Sequence, residues 1–275
     1  QFDIRSASAD FPAITGCLMQ VDLCYENRAH SIPLNHWEIA GTNTEEITDP
    51  QHGVLAQLPA SSNIEFFGLQ MQVVFALART EPLFLWKIQI TNGGENPVWI
   101  NKIEFLRAGG QSQHGSLRFS ENPTASGWSF YSNGWQSWSH TGTYLPGQAM
   151  RISRLGRFQQ PMVVNPGTPL LRLPGYYTSE FFGAISDLNS GAGLVIGFLS
   201  QKQHFGTVEA VLYDKPSLAL FTADGSLLES GTVLETDWAV ISPFSITDPD
   251  PFRVYLEAVA RENEVKRIPE QSVPS

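Results

Sequence analysis

The fold class of this chain can be read from the stretch Lys87-Ile-Gln-Ile-Thr-Asn-Gly-Gly-Glu-Asn-Pro-Val98. Ile88 and Ile90 alternate with polar residues, which is the period-two pattern of a half-buried strand. The residues Thr91-Asn92-Gly93-Gly94 are of the types that form tight turns. We therefore predict a strand, an exposed hairpin turn and a second strand.

The same alternation continues on both sides of this stretch. Between residues 63 and 106 it is carried by Phe66, Phe67, Met71, Val73, Phe75, Phe84 and Trp86. Further strands are predicted at Gly16–Tyr25, Leu34–Ala40, Val98–Leu106, Glu180–Ser186, Gly193–Ser200, Phe205–Tyr213, Ser217–Thr222 and Thr232–Ile241. No helical pattern separates these strands, so parallel pairing with crossover helices is excluded. The polar segment 41–52, with Glu45 and Glu46, is interpreted as a solvated loop.

A single helix is predicted at the end of the chain. Asp248-Pro249-Asp250-Pro251 offers cap residues and a proline for the first helical position. An apolar stripe at helical spacing follows, and it consists of Phe252, Tyr255, Leu256 and Val259. We predict a mainly β protein: a large antiparallel two-sheet sandwich over residues 1–247, a helix packed on it over 248–267, and a linker over 268–275.

Composition and charge exclude several classes of function. The net charge of −10 argues against binding to a nucleic acid backbone, which favours basic proteins. No apolar run reaches the roughly 18 residues that a membrane span needs. Cys17 and Cys24 lie seven residues apart, so in one strand they point to opposite faces and stay reduced. With no signal-peptide pattern at the amino terminus, these features favour a cytoplasmic protein.

No complete active site can be assembled from the sequence. The carboxylates considered for glycoside hydrolysis are Asp187, Asp214, Asp224, Asp237, Asp248 and Asp250. Most of them occupy predicted turns or caps, and only Asp237, beside Trp238 in an apolar strand, is unusual. The histidines and cysteines show no metal-ligand spacing, and no cofactor motif is present. We therefore predict no catalytic residue, no metal and no cofactor in this chain.

Residues 107–175 show no clear strand pattern, and long irregular regions on rigid scaffolds often carry function. They include Arg151, Arg154 and Arg157, which either contact an anion or carboxylate or form a solvated face. They also include the segment from Tyr131 to Ser139, called here the Trp loop, with the sequence Tyr-Ser-Asn-Gly-Trp-Gln-Ser-Trp-Ser.

The Trp loop places Trp135 and Trp138 among small polar residues. Asn133 and Gly134 tolerate positive φ and favour a tight turn. Indole rings on such a loop can stack on a sugar ring through their apolar faces and N–H groups. The alternative is a tryptophan cluster that packs under a long loop, because tryptophan is mostly buried whatever its role.

Several of these segments resemble family 36 glycoside hydrolases, the bacterial α-galactosidase group. Asn133-Gly-Trp-Gln-Ser-Trp138 is similar to the Asn-x-Trp-Gln-Ser-Trp motif of that family. Ser179-Glu-Phe-Phe182 and Gly193-Leu-Val-Ile-Gly-Phe-Leu-Ser200 are similar to its strand pair ending in Gly-Phe-Leu-Ser. The helix at 251–263, followed by a proline-containing linker, matches the segment that leads into the family's catalytic barrel. The resemblance covers about residues 120 to 275.

The resemblance implies a β-supersandwich of the galactose-mutarotase-like type that precedes a (β/α)8 barrel. In the family, that barrel supplies both catalytic aspartates of a retaining mechanism. Carried over, Trp138 forms an apolar wall of the galactose subsite and Trp135 is a buried support. Asn133, Gln136 and Ser137 would hold the turn by hydrogen bonds.

Two functions follow as hypotheses. In the first, the chain is the non-catalytic N-terminal domain of an α-galactosidase-like enzyme; its partners are the barrel and a galactoside, and the chain alone is inactive. In the second, it is a free-standing carbohydrate-binding module. Mutarotase activity is a third possibility, but no convincing His and Glu pair supports it. The sequence leaves the sugar linkage and the oligomeric state open.

Overall fold

The described part of the chain forms a sandwich of two antiparallel sheets with one α-helix on its outside. The computed structural model describes residues 1–5, 13–34, 37–39, 44–110, 115–119, 125–153, 164–169, 171, 173–213, 215–223 and 225–266, excluding the side chains of 63–66 and 125. The strands in chain order are β1 Phe2–Ile4, β2 Ala13–Tyr25, β3 Arg28–Pro33, β4 Glu38–Ile39, β5 Glu45–Asp49, β6 Gly53–Phe66, β7 Leu69–Ala78, β8 Phe84–Asn92, β9 Val98–Gly109, β10 Ser116–Arg118, β11 Trp128–Ser132, β12 Gly142–Tyr144, β13 Tyr176–Glu180, β14 Phe182–Asp187, β15 Ala192–Phe198, β16 Gly206–Val211, β17 Ser217–Thr222, β18 Ser226–Leu228, β19 Val233–Glu235 and β20 Ala239–Ser245.

Within the described ranges these strands form sheets of nine and eleven strands. The nine-stranded sheet has the order β1-β2-β9-β17-β16-β13, with β3 and β10 paired to β2 and β18 paired to β9. The eleven-stranded sheet has the order β12-β11-β14-β15-β20-β8-β7-β6-β4, with β19 on β8 and β5 on β6. The predicted fold class, a large antiparallel two-sheet supersandwich with a C-terminal helix, is confirmed.

The main core lies between the two sheets. Trp86 of β8 donates its indole N–H to the carbonyl of Phe105 in β9, over 3.2 Å. Phe105 meets Phe198 of β15 edge to face, with ring centroids 5.0 Å apart. Trp86, Phe105 and Phe198 are each at most 1% exposed, so aromatic contacts join the sheets where apolar burial is complete.

The strands predicted on either side of the turn in 87–98 are present as β8 and β9, but the predicted hairpin is wrong. β8 belongs to the eleven-stranded sheet and β9 to the nine-stranded sheet, so the turn carries the chain from one sheet to the other. Asn92 holds this crossing, because its Nδ2 donates to the carbonyls of Asn96 at 2.9 Å and Leu228 at 3.0 Å. Gly94 is needed for space, since a Cβ there would lie 2.6 Å from the carbonyl oxygen of Phe67.

Several predicted boundaries need correction near the amino terminus. The strand predicted at Leu34–Ala40 is replaced by β3, which ends at Pro33, and by the two-residue β4; residues 35, 36 and 40 lie outside the described ranges. Glu45 and Glu46 are exposed as predicted, but they belong to strand β5 and not to a loop. An exposed edge strand tolerates charged residues, which is why its sequence resembles that of a loop.

Further corrections lie in the second half of the chain. The region 107–175 contains β10, β11 and β12, and β13 begins just after it. The predicted strand Thr232–Ile241 is split into β19 and β20. The hairpin predicted over Asn189-Ser190-Gly191 is confirmed, because β14 and β15 pair antiparallel from Phe182 with Gly197 to Asp187 with Ala192.

The two cysteines are free, as predicted. Cys17 is buried, and burial raises the pKa of its thiol to about 12. A thiol with so high a pKa stays protonated near neutral pH and is therefore a poor nucleophile.

The single α-helix among the described residues, α1 Arg253–Glu262, begins later than predicted, and a short 3-10 helix precedes β11 at Ala125–Gly127. Phe252 occupies the N-cap without a side-chain hydrogen bond, and Pro251 precedes it, so neither Asp248 nor Asp250 is the cap. Asp248 instead accepts the N–H of Asp250 at 2.9 Å in the turn before the helix. This helix is too short to cross a membrane.

The helix packs on the face of the eleven-stranded sheet that points away from the main core. Tyr255 and Ala258 are buried against Leu85, Val195 and Val240. Leu256 is 47% exposed, which corrects the predicted apolar stripe. Residues 267–275, including the predicted linker, lie outside the described ranges, so the proposed division into domains stays a prediction.

Candidate functional site: the Trp loop

The Trp loop leaves β11 at Asn133, which is held from three directions. The Asn133 main-chain N–H donates to Ser179 Oγ at 2.7 Å, and its Nδ2 donates to the Glu180 carbonyl at 2.9 Å. The N–H of Glu180 donates back to the Asn133 carbonyl at 3.1 Å. Asn133 therefore anchors the loop to β13, as the resemblance implies, and its amide is occupied inside the protein.

The turn after Asn133 is closed by main-chain contacts. The Gln136 N–H donates to Ser139 Oγ at 3.0 Å, and the Ser139 N–H donates back to the Gln136 carbonyl at 2.9 Å. The His140 N–H continues this support by donating to the Ile152 carbonyl at 3.0 Å. Gln136 thus holds the turn through its backbone, whereas Ser137 is exposed.

Gly134 is required for close packing and not for its backbone angles. Neither Asn133 nor Gly134 has a positive φ, so the predicted reason for this pair is wrong. A Cβ on residue 134 would lie 2.6 Å from the Ser139 Cβ and 3.1 Å from Thr141 Oγ1. The Gly134 N–H also donates to Thr141 Oγ1 at 3.0 Å.

Gly134→Ala is expected to destabilise the protein by about 1–3 kcal/mol, because the added methyl group must displace Ser139 or distort the turn. Denaturant unfolding of the isolated chain measures this loss. Ser137→Ala, in the same loop but exposed, is the matched control and should change stability by less than about 0.5 kcal/mol. Equal effects of the two substitutions would contradict the packing argument.

The two tryptophans of the loop differ in environment. Trp138 is 50% exposed. Trp135 is only partly buried and meets Phe205 edge to face at 4.9 Å, which corrects the buried support expected for it. Trp128, just upstream, is 1% exposed and belongs to the core. The loop therefore presents one indole to solvent and rests a second on Phe205.

The Trp loop is joined to the C-terminal helix through the strand that precedes it. Tyr131 of β11 packs on Phe252, with ring centroids 5.1 Å apart, and on Phe182 at 5.9 Å. Phe252 also meets Phe244 edge to face at 5.7 Å. The start of the helix and the start of the Trp loop are thus fixed to each other by aromatic contacts.

The space beneath the Trp loop is too small for a sugar. The cavity bounded by Gly134, Trp135, His140, Ile152 and Glu180 has a volume of about 10 Å³, whereas ligand pockets usually measure about 300–1,000 Å³. Any sugar at this loop must therefore lie on its outer surface, against Trp138.

The aspartates considered for catalysis stabilise turns instead. Asp187 accepts the N–H of Asn189 at 3.0 Å in the β14–β15 hairpin. Buried Asp237 accepts the Ser200 hydroxyl and the N–H groups of Lys202, Gln203 and His204, the last three at 3.2, 2.9 and 3.2 Å. Asp214 and Asp224 lie outside the described ranges.

Asp237→Asn is expected to lower the free energy of unfolding by about 1–3 kcal/mol, because an amide nitrogen would face N–H donors that lose their acceptor. Thermal or denaturant unfolding measures the effect. Asp248→Asn serves as the control, since exposed Asp248 accepts one N–H in a turn. A stability unchanged in Asp237→Asn would show that the carboxylate does not hold residues 200–204.

Glu180 is the polar residue at this site that sequence reasoning missed. It is 3% exposed, and burial raises the pKa of its carboxyl to about 7, although hydrogen bonds from Thr168 and Asn165 oppose the rise. In the sequence it is one polar residue at the edge of an apolar run, and nothing there indicates that residues 164–169 cover it.

The predicted basic cluster is described only in part. Arg151 is exposed, and its main chain exchanges hydrogen bonds of 3.0 Å with the Tyr144 hydroxyl. Arg154 and Arg157 lie outside the described ranges, so their contact with an anion or carboxylate stays a prediction. In the part of the chain that the structure describes, no group of three or more His, Cys, Asp or Glu side chains is placed to hold a metal ion.

Neither a protein-family model nor a curated protein matches this sequence. Solved structures do match. The galactosidase domain of an α-galactosidase-sucrose kinase aligns with 82% of this chain and 30% of its own, at 9% identity and a TM-score of 0.51. The α-galactosidase from Lactobacillus brevis aligns with 82% of this chain and 29% of its own, at 11% identity and a TM-score of 0.50.

Likeness at these identities establishes the fold alone. The chain spans less than a third of the length of the α-galactosidases that it matches. It therefore has the fold of a region that makes up about 30% of each matched α-galactosidase structure.

Proposed function

We propose that this chain is the non-catalytic N-terminal domain of an α-galactosidase-like glycoside hydrolase. Its Trp loop would contribute Trp138 to the galactose pocket of a (β/α)8 barrel in the same parent chain. The observation that carries the proposal is the half-exposed indole of Trp138 on a loop that is fixed by main-chain hydrogen bonds. Such a ring can serve as a wall for a pocket whose floor lies elsewhere.

The geometry suits a role in positioning the sugar. An indole offers a flat apolar face to the C–H groups of a sugar ring and excludes water from the side it covers. A wall that is already rigid before binding loses little conformational entropy when the sugar arrives. The bonds at Asn133 and Gln136 supply this rigidity.

Catalysis itself is assigned to the barrel. A retaining glycosidase needs a nucleophile and an acid/base carboxylate about 5–5.5 Å apart across the bond that is cleaved. Asp187 and Asp237 are engaged in turns of this chain, which leaves both tasks to aspartates of the barrel. The proposed partners are therefore the barrel and an α-galactoside, in a cytoplasmic enzyme.

The proposal is tested by assaying the full-length product of the gene on α-galactosides. We expect hydrolysis of an aryl α-galactoside with retention of configuration, and no hydrolysis by residues 1–275 alone. A full-length protein that folds but does not cleave α-galactosides would contradict the assigned activity.

A free-standing carbohydrate-binding module is the second candidate. It is favoured by the half-exposed indole of Trp138, because an exposed aromatic face can bind a sugar by stacking without a deep pocket. Calorimetry with galactosides on the isolated chain separates the two candidates. A module predicts binding at millimolar sugar that is lost in Trp138→Ala, whereas an incomplete pocket predicts no measurable heat.

A further inference from the structure

A buried carboxylate lies where the Trp loop meets the segment 164–169. Glu180 is the last residue of β13 and pairs with Thr207 of β16. Its Oε1 accepts the Asn165 N–H at 3.3 Å, and its Oε2 accepts the Asn165 Nδ2. Asn165 is 1% exposed, so this contact is closed to solvent.

Among the described residues, the hydrogen-bonding groups around this carboxylate are neutral and belong to Asn165, Thr168 and Thr207. Asn165 Nδ2 also donates to Thr207 Oγ1 at 3.0 Å, and the Thr168 and Thr207 hydroxyls lie 2.9 Å apart. Within the described residues, Glu180 forms no ion pair. A carboxylate buried without a cation is costly, and burial therefore favours its neutral acid form.

The titratable groups on the surrounding elements have other partners. On β16, Glu209 accepts Arg107 at 3.3 Å and the Tyr176 hydroxyl at 2.6 Å. Beside the Trp loop, His140 borders the small cavity that Glu180 also lines, and its Nδ1 lies 2.9 Å from the Tyr144 hydroxyl. Any pH response of the loop must therefore be assigned between Glu180 and His140.

The backbone of Glu180 connects this carboxylate to the Trp loop. Its N–H and C=O both bond Asn133, and the neighbouring Ser179 Oγ accepts the Asn133 N–H. A change at the Glu180 side chain that moves β13 would move Asn133, where the loop leaves β11, with it. On its other side, the carboxylate holds Asn165, whose Oδ1 accepts the Gly167 N–H at 2.8 Å.

We propose that Glu180 is a positioning residue of the Trp loop, and that its protonation state sets how the loop is held against the segment 164–169. The neutral acid can donate a hydrogen bond to the Thr168 hydroxyl, which keeps Glu180, Asn165 and Thr168 in contact. Ionisation leaves a buried charge that draws donors or water inward and shifts Asn133. The shift of the loop is a property of this chain alone, whereas any effect on a sugar pocket rests on the proposed function.

The experiment is fluorine NMR of the chain labelled with 5-fluorotryptophan, titrated from about pH 5 to pH 9. Trp135→Phe and Trp138→Phe assign the two loop resonances. We expect at least one of them to shift with a midpoint near 7, the pKa expected for Glu180. The shift should be lost in Glu180→Gln and kept in Glu229→Gln, whose side chain is exposed.

Two further variants make the outcome decisive. His140→Asn should keep the transition, and its loss there would assign the response to the histidine and overturn the proposal. Asn165→Ala removes donors that stabilise the carboxylate, so the midpoint should rise by about one pH unit. This variant tests the proposal even if Glu180→Gln does not fold; a midpoint that does not move, or the absence of any transition in the wild type, would overturn it.

Discussion

Trp138→Ala is expected to lower kcat/KM of the proposed full-length enzyme on an α-galactoside by about tenfold to a hundredfold, which corresponds to about 1.4–2.8 kcal/mol of transition-state stabilisation. The physical reason is the loss of an apolar wall that orients the sugar and keeps water away from it. Steady-state kinetics with an aryl α-galactoside measures the loss. The free energy of unfolding should change by less than about 0.5 kcal/mol, because the ring is half exposed.

Trp99→Ala is the matched control for this experiment. Trp99 lies on β9 and is 51% exposed, close to the 50% of Trp138, but it is not part of the Trp loop. Its removal should leave kcat/KM unchanged. Equal losses in both variants would indicate a general effect of removing a surface tryptophan, and no loss in Trp138→Ala would exclude a wall at that position.

Ionisation of Glu180 is expected to make the stability of the protein depend on pH. The free energy of unfolding is expected to fall by about 3 kcal/mol as the pH rises from about 4.5 to about 7, because Glu180 must ionise in a buried site. Its pKa is raised from 4.5 in the unfolded chain to about 7 in the folded protein. The stabilising contribution is therefore complete below pH 4.5 and is lost as the pH passes through 7.

Denaturant unfolding across this pH range, in wild type and in Glu180→Gln, measures the contribution. Glu180→Gln should remove most of the decline, whereas the exposed control Glu229→Gln should retain it. Burial opposes ionisation of Glu104, but Arg107 and Lys102 lower the pKa of its carboxyl below the usual value. The contribution of Glu104 to the free energy of unfolding is therefore lost only at more acidic pH. A decline that is the same in wild type and Glu180→Gln would contradict the assignment to Glu180.

The sequence was sufficient for the fold class because alternation is a local signal. Val73, Trp86 and Ile88 point into the core as their spacing predicts. Which strands pair with each other, in contrast, is decided by contacts between residues far apart in the sequence. The turn after Asn92 looks the same whether it closes a hairpin or passes between sheets, and the crossing depends on distant contacts such as that from Asn92 to Leu228.

The same distinction explains what could be predicted at the site. The Trp loop stands out in the sequence because two tryptophans among Gly and Ser residues are unusual. Trp138 is half exposed, and its contact with a sugar stays a prediction. The sequence gives no sign of the burial of Glu180, because that burial depends on Asn165, which lies 15 residues earlier and reaches Glu180 only after folding. The helix start was misplaced because Asp248-Pro249-Asp250-Pro251 forms a turn of its own before Phe252.

The role of Trp138 can be examined directly in a crystal structure of the full-length protein with galactose bound in the proposed barrel. We expect the Trp138 indole to lie against the sugar, with indole carbon atoms within about 4 Å of the sugar ring. A galactose enclosed by barrel residues alone, with Trp138 in solvent or turned against its own sandwich, would contradict it.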